Sequence, residues 1–210
     1  MLSIDHVVIA AQNPEQSAHA FGKTHGVTVV EGGRHDAWGT YNMLAYFKND
    51  CYLEWLGVFD QQKAEQSTNP LIGQLVQRLK TTGDGPFQYA LRTQQMSDMI
   101  THLKRSQIPL KGPFKGSRMR PDGSTLAWQM LFPNGLTTIT PFLIAWNEGI
   151  NRPNDSNLIN DRRLQLFGNK NEDMDLFNDI YQVKVHDQEI KLDNGSIIYS
   201  QNDLSFELLE

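Results

Sequence analysis

Apolar residues alternate with polar ones along some stretches of the chain and recur every three to four positions along others, and the changes of period mark its elements. SIDHVVIAA, residues 3–11, is a short apolar run of strand length. NPEQSAHAFGKTHG then opens with Asn-Pro, carries a carboxylate in its first turn and spaces Ala18 and Phe21 three apart, which predicts a helix stopping at Gly26. VTVVEGG predicts a strand, RHDAWG a loop, TYNMLAYFKND a strand with a turn, and CYLEWLGVF another strand. The same order of strand, helix and three strands returns in PFQYALRT, QQMSDMITHLKRSQ, IPLKGPF, STLAWQMLFPNG and LTTITPFLIAW. Two βαβββ units are therefore expected, at about residues 1–60 and 85–148, with the amphipathic segment TNPLIGQLVQRLKTTGDGP between them. Residues 149–160 have the composition of a linker, and residues 161–210 predict a third α+β unit with a hairpin turning at Asp193-Asn194-Gly195. The fold class is α+β, and the third unit is expected to pack on the first two or on a partner chain.

One letter breaks the apolar pattern. Glu54 lies between Leu53 and Trp55 in a run that otherwise suits a core. A buried carboxylate costs several kcal/mol or more unless it is hydrogen-bonded, paired, metal-bound or neutral. Alternation puts Ile4, His6, Val8 and Ala10 on one strand face, and Tyr52, Glu54 and Leu56 on another. Aligning the repeats at Phe21 and Leu103 sets His6 opposite Gln88 and Ala10 opposite Arg92.

Composition narrows the classes. A net charge of -5 with no Lys/Arg-rich block argues against a general nucleic-acid binder. The one cysteine, Cys51, excludes an intrachain disulfide framework, and the N-terminal stretch lacks the pattern of a secretion signal, so a cytoplasmic setting is expected. No apolar run approaches the roughly 18 residues that span a bilayer. Walker, Rossmann, nucleophile-elbow and HExxH patterns are missing.

The paired units, with DHVVIAA opening the first, YLEWLG closing it, GGRHDAWG between them, and the later YALRT and PFLIAW, resemble the vicinal oxygen chelate superfamily and its glyoxalase-like branch. The resemblance implies a curved mixed sheet forming a cup, with one metal ligand from the first and one from the last strand of each unit. It assigns His6 and Glu54 to the first pair and Gln88 to the second, with the closing position among Thr138, Ile139 and Thr140 lacking a usual ligand. His35, placed near the cup mouth by the preceding Gly-Gly, becomes a third ligand or a general base, with Glu54 as the other catalytic group. Alternation turns Arg92 into the same half-cup as Gln88, where a guanidinium suits a carboxylate or phosphate, or pairs with Glu54. KGPFKGSRMRPDG gathers Lys111, Lys115, Arg118 and Arg120 into an anion-attracting lip or a solvated loop, and Tyr41, Tyr52, Trp38, Trp128 and Phe142 are core or cup-wall residues.

Two functions fit these residues. The first is a metal-dependent lyase or isomerase in which a divalent cation (Zn, Ni, Mn or Fe) chelates neighbouring oxygens of a small substrate, with Tyr52, Arg92, Trp128 and Arg120 contacting that substrate. The second is a metal-free protein that sequesters a small molecule in the same cup. Nucleic acid and membrane are not expected partners, and a homodimer is an expected assembly.

Overall fold

The computed structural model describes residues 2–119, 123–136 and 139–210. The first unit runs β1 (Ser3–Ala10), α1 (Pro14–His25), β2 (Val30–His35), β3 (Thr40–Phe47) and β4 (Cys51–Val58). Two helices follow, α2 (Gln61–Glu65) and α3 (Pro70–Thr81). The second unit runs β5 (Gly85–Arg92), α4 (Met96–Arg105), β6 (Leu110–Met119), β7 (Thr125–Pro133) and β8 (Phe142–Trp146). The chain ends with β9 (Ile159–Asn160), β10 (Arg163–Asn169), α5 (Met174–Tyr181), β11 (Val185–His186), β12 (Glu189–Leu192), β13 (Gly195–Gln201) and β14 (Ser205–Leu209).

The α+β class and the paired units are as the sequence implies. One sheet orders its strands β2-β3-β4-β1-β5-β8-β7-β6, with β9 added beside β3. Antiparallel pairing of β1 with β5 joins the two units, while β1 with β4 and β5 with β8 are parallel. The sheet curls until its far edges meet: Arg118 on β6 donates to the Gly32 carbonyl on β2. The convex face carries Val7, Ile9, Leu53, Trp55, Leu91 and Leu143, covered in part by Ala18 of α1 and by Met96, Met99 and Leu103 of α4.

Helix α3 has an unusual place. Asn69 caps it by accepting from the Leu71 amide at 3.0 Å, and Pro70 supplies a preset first turn. Its apolar residues Leu71 and Leu75 join the concave-face cluster of Val8, Ala10, Leu56, Ala90, Met130 and Phe142. Burying each leucine is worth about 2 kcal/mol. The helix therefore lies in the cup and divides it.

The strands differ from expectation at three points. β2 continues through His35, which the sequence reads as a loop residue. β6 runs on to Met119 through a stretch read as a lip, because Gly116 leaves space that a side chain would take from the Trp128 indole. β8 covers only Phe142–Trp146 of LTTITPFLIAW.

The last unit forms its own sheet, β11-β12-β13-β10-β14, and packs on the convex side of the first. Asn194, in the two-residue turn between β12 and β13, accepts from the Ile4 amide and donates to the Ile4 carbonyl, both at 2.8 Å. Tyr89 and Tyr199 join hydroxyls at 2.9 Å. Residues 149–160 connect the sheets and also touch the first: β9 pairs with β3, and Asn151 is buried against the Tyr46 hydroxyl at 3.2 Å. No helix among the described residues is long and apolar enough to cross a membrane.

Candidate functional site

A bulge at the start of β1 sets the site. Ile4 and Val7 both join the convex core, which strict alternation forbids, and the β1–β5 register shifts between Ile4 and His6. Asp5 and His6 are thereby turned into one polar line. His6 Nδ1 lies 2.7 Å from Asp5 Oδ1, and His6 Nε2 lies 3.4 Å from Glu54 Oε2. All three side chains are buried. Asp5 Oδ2 accepts from Arg92 at 3.1 Å and from the Trp146 indole at 3.0 Å. Burial pushes the Asp5 carboxyl up, but the hydrogen bond and charge of His6, the Arg92 guanidinium and Trp146 together hold it below the usual carboxylate range. Asp5 is therefore an acceptor, His6 Nδ1 carries a proton, and His6 Nε2 faces Glu54. The ring is fixed by stacking on Tyr52 at 4.6 Å and by the edge of Phe142 at 5.5 Å.

The other oxygen of Glu54 accepts from Asn42 Nδ2. Asn42 Oδ1 has no hydrogen-bond partner among the described residues, and a Cβ at Gly32 would collide with that amide. His35 Nδ1 meets Thr40 Oγ1 at 3.1 Å. Burial pulls the His35 imidazole down to about 4, against the charge of Glu54 and with that of Arg118. His35 is thus neutral at physiological pH, able to donate or accept.

These groups line a chamber walled by Trp38, Trp128, Trp146, Leu56, Leu71 and Phe142. Its free volume is about 30 Å³, room for one or two waters. His35, Trp38 and Trp128 separate it from an outer cavity of about 390 Å³. Arg118 and Asn151 separate it from a recess of about 220 Å³ that Val30, Tyr46 and Leu158 also line.

Of the residues the sequence nominates, His6, Glu54, His35, Tyr52 and Trp128 converge on this chamber. Gln88 does not: it lines a separate cavity of about 790 Å³ with Gln74 and Thr140, which its Nε2 bonds at 3.2 Å each. His6 pairs across β1–β5 with Ala90, and α3 closes the space between. Arg92 is spent on Asp5 and the Asp50 carbonyl rather than on Glu54. Arg34, next to His35 on β2, stacks on Phe59 at 3.6 Å and is not paired with Glu54. Tyr41 belongs to the opposite face of β3 from Asn42, within electrostatic reach of Glu15 on α1. Arg120 and Thr138 lie outside the described residues. Sequence reasoning misses Asp5, Asn42 and Asn151, and leaves Arg118 in a loop. Asp5 could be found from its place beside His6, and Asn42 from its alternation with Leu44.

A family described as Glyoxalase-like domain matches residues 4–173. The chain belongs to this family. The glyoxalase-like assignment places it in the vicinal oxygen chelate superfamily. Among solved structures, a hypothetical protein from Staphylococcus aureus is similar at TM-score 0.76 and 18% identity, over 94% of this chain and 86% of that one. A Streptomyces coelicolor methylmalonyl-CoA epimerase in complex with 2-nitronate-propionyl-CoA gives TM-score 0.51 and 16% identity, over 71% of this chain and 97% of that one. Among curated proteins none matches the chain in sequence.

The superfamily's divalent metal can be tested against this glyoxalase-like cup. A separation of 3.4 Å between His6 Nε2 and Glu54 Oε2 suits two donors held at about 2.1 Å from one ion. Asp5 also backs Nδ1 as a carboxylate backs many ligating histidines. The set stops there: among the described residues no three His, Cys, Asp or Glu side chains converge as a metal site, and Gln88 and Thr140 are turned to another cavity. The donors in place do not complete the four-ligand pattern.

Proposed function

We propose that this protein is a lyase or isomerase for a small molecule, in which Glu54 moves a proton at a carbon next to a carbonyl. The observation that carries this reading is a buried carboxylate with no lysine or arginine paired to it among the described residues, set against an aspartate-backed histidine and facing a chamber. Glu54 would take the proton as the C–H bond breaks, leaving an enolate. The proton on Glu54 is shared with Nε2 of His6, which Asp5 orients, and a proton returns from the pair to carbon or to a leaving group. The one or two waters that the chamber has room for let the shared proton exchange with solvent. The epimerase that shares the fold is seen with a small-molecule ligand, which supports a small-molecule role here.

The metal-dependent form of the same chemistry, with Zn, Ni, Mn or Fe on His6 and Glu54, needs a further donor brought to the pair, His35 being the one in the chamber. Sequestration without chemistry needs no proton acceptor at Glu54. One experiment separates the three. The purified protein is incubated in D2O with a panel of small 2-hydroxy and 2-oxo carbonyl compounds, with EDTA or with each metal, and C–H exchange is followed by proton NMR. Exchange in EDTA that falls by about 10²–10⁴ in Glu54→Gln supports direct proton transfer. Exchange that appears only with metal moves the conclusion to the metal form, and binding without exchange moves it to sequestration. The expected cytoplasmic location and homodimer belong to the same proposal, the dimer being read by sedimentation velocity.

A further inference from the structure

Arg118 is 8% exposed, and its one hydrogen bond among the described residues is to the Gly32 carbonyl. No carboxylate among the described residues pairs with it, so most of its N–H groups are unused. A guanidinium buried without an anion is costly, because desolvation is not offset. The strand beside it passes closely: Gly33 adopts a φ of +136°, and a Cβ there would be in ordinary contact with Arg118 Cδ at 3.5 Å and with its terminal nitrogen at 3.6 Å. The side chain stands at the neck between the Glu54 chamber and the 220 Å³ recess.

We infer that Arg118 is the anchor for a carboxylate on the substrate, so that the ligand is a small organic monocarboxylate whose body lies in the recess and whose reacting carbon reaches toward Glu54. Three observations favour this class. Planar, paired N–H groups match a carboxylate. The charge count limits the ligand to a single negative charge, since Arg118 is the only lysine or arginine among the described residues lining the chamber and Glu54 is already there. The recess exposes Val30, Tyr46, Pro153 and Leu158, which suit an apolar or aromatic body, and its charged lining beyond Arg118 is Glu31, Asp155 and an Arg152 already paired with Asp50.

The inference rests on reading this chamber as a small-molecule site, but not on proton transfer at Glu54. Its test is calorimetric binding of mandelate, benzoylformate and phenylacetate, each against its uncharged amide. The wild-type protein is expected to prefer the acids by roughly tenfold or more. Arg118→Gln removes that preference, and Arg118→Lys keeps part of it by retaining charge without the planar fork. Circular dichroism confirms that the variants are folded, and the acid-to-amide ratio in the wild type needs no variant. Glu54→Gln keeps the preference even where it abolishes exchange, so failure of the catalytic reading and failure of this one are distinguishable. Equal binding of acids and amides, an unchanged preference in folded Arg118→Gln, or no acid bound up to about 10 mM would each overturn it.

Discussion

His35 shows how burial at one residue writes itself into the pH response of the molecule. In the unfolded chain its imidazole takes up a proton near 6.5, whereas in the folded chain it does so at about 4. Between those values the unfolded state binds more protons, so folding stability falls as the pH falls through that window and is fully present above it. The difference is worth about 3 kcal/mol at most. His35→Gln should therefore flatten the acid limb of a urea-stability profile between pH 6.5 and about 4, leaving the neutral side little changed. An acid limb as steep as the wild type's in that variant would assign the loss to other groups. The neutral ring also bears on function, because a neutral histidine beside Glu54 does not compete with Arg118 for an anion. His35, His6 and Glu54 were legible in sequence because strand alternation and the Gly-Gly turn need no knowledge of the rest of the chain. Arg118 was legible as one of four cations in an anion-attracting lip but not as a strand residue at the chamber, because its strand is disguised by the glycines that let it pass Trp128.

At the scale of elements, α3 decides which predicted residues meet. The repeat places Gln88 opposite His6, whereas in the sheet Gln88 pairs with Val8 and His6 with Ala90. Two facts that no alignment of halves contains then intervene: the bulge at Asp5 shifts the register, and a helix from between the units fills the middle of the cup. The amphipathic stripe of α3 was visible in sequence, but not the face it would bury. Leu75 is fully buried at that partition. Leu75→Ala should cost about 3 kcal/mol, the usual sum of lost transfer energy and residual cavity. It should also bring the Glu54 chamber and the Gln88 cavity closer to a single space. Chemical denaturation gives the first quantity. The second predicts that larger carboxylates, excluded by the wild type, gain affinity for the variant. A loss under about 1 kcal/mol would mean that α3 sits loosely in the cup.

At the scale of the whole molecule, the third unit is better understood as the outer support of the site than as an appendage. Asn194 satisfies both the N–H and the C=O of Ile4, the residue immediately before the Asp5–His6 bulge. Asn49 exchanges hydrogen bonds with Leu164 in the same way, donating to its carbonyl at 3.1 Å and accepting from its amide at 3.0 Å. Phe177, Ile180, Tyr181 and Tyr199 are buried in the same core as Leu91 and Leu143 of the cup. Sequence could anticipate that a unit of this size needs a partner, but which surface it covers depends on side chains more than a hundred residues apart. Asn194→Ala should then cost about 1–3 kcal/mol, because it leaves two backbone groups of Ile4 without partners. It should also weaken carboxylate binding and proton exchange, although Asn194 touches neither chamber nor recess. The measurement pairs urea unfolding followed by tryptophan fluorescence with far-UV circular dichroism. All four tryptophans, Trp38, Trp55, Trp128 and Trp146, lie in the first two units, whereas dichroism reports on all three. A shared core predicts one transition by both probes, shifted together in the variant. A dichroism transition that separates from the fluorescence one would show the third unit melting alone, and the support it gives to the Asp5–His6–Glu54 line would then be dispensable.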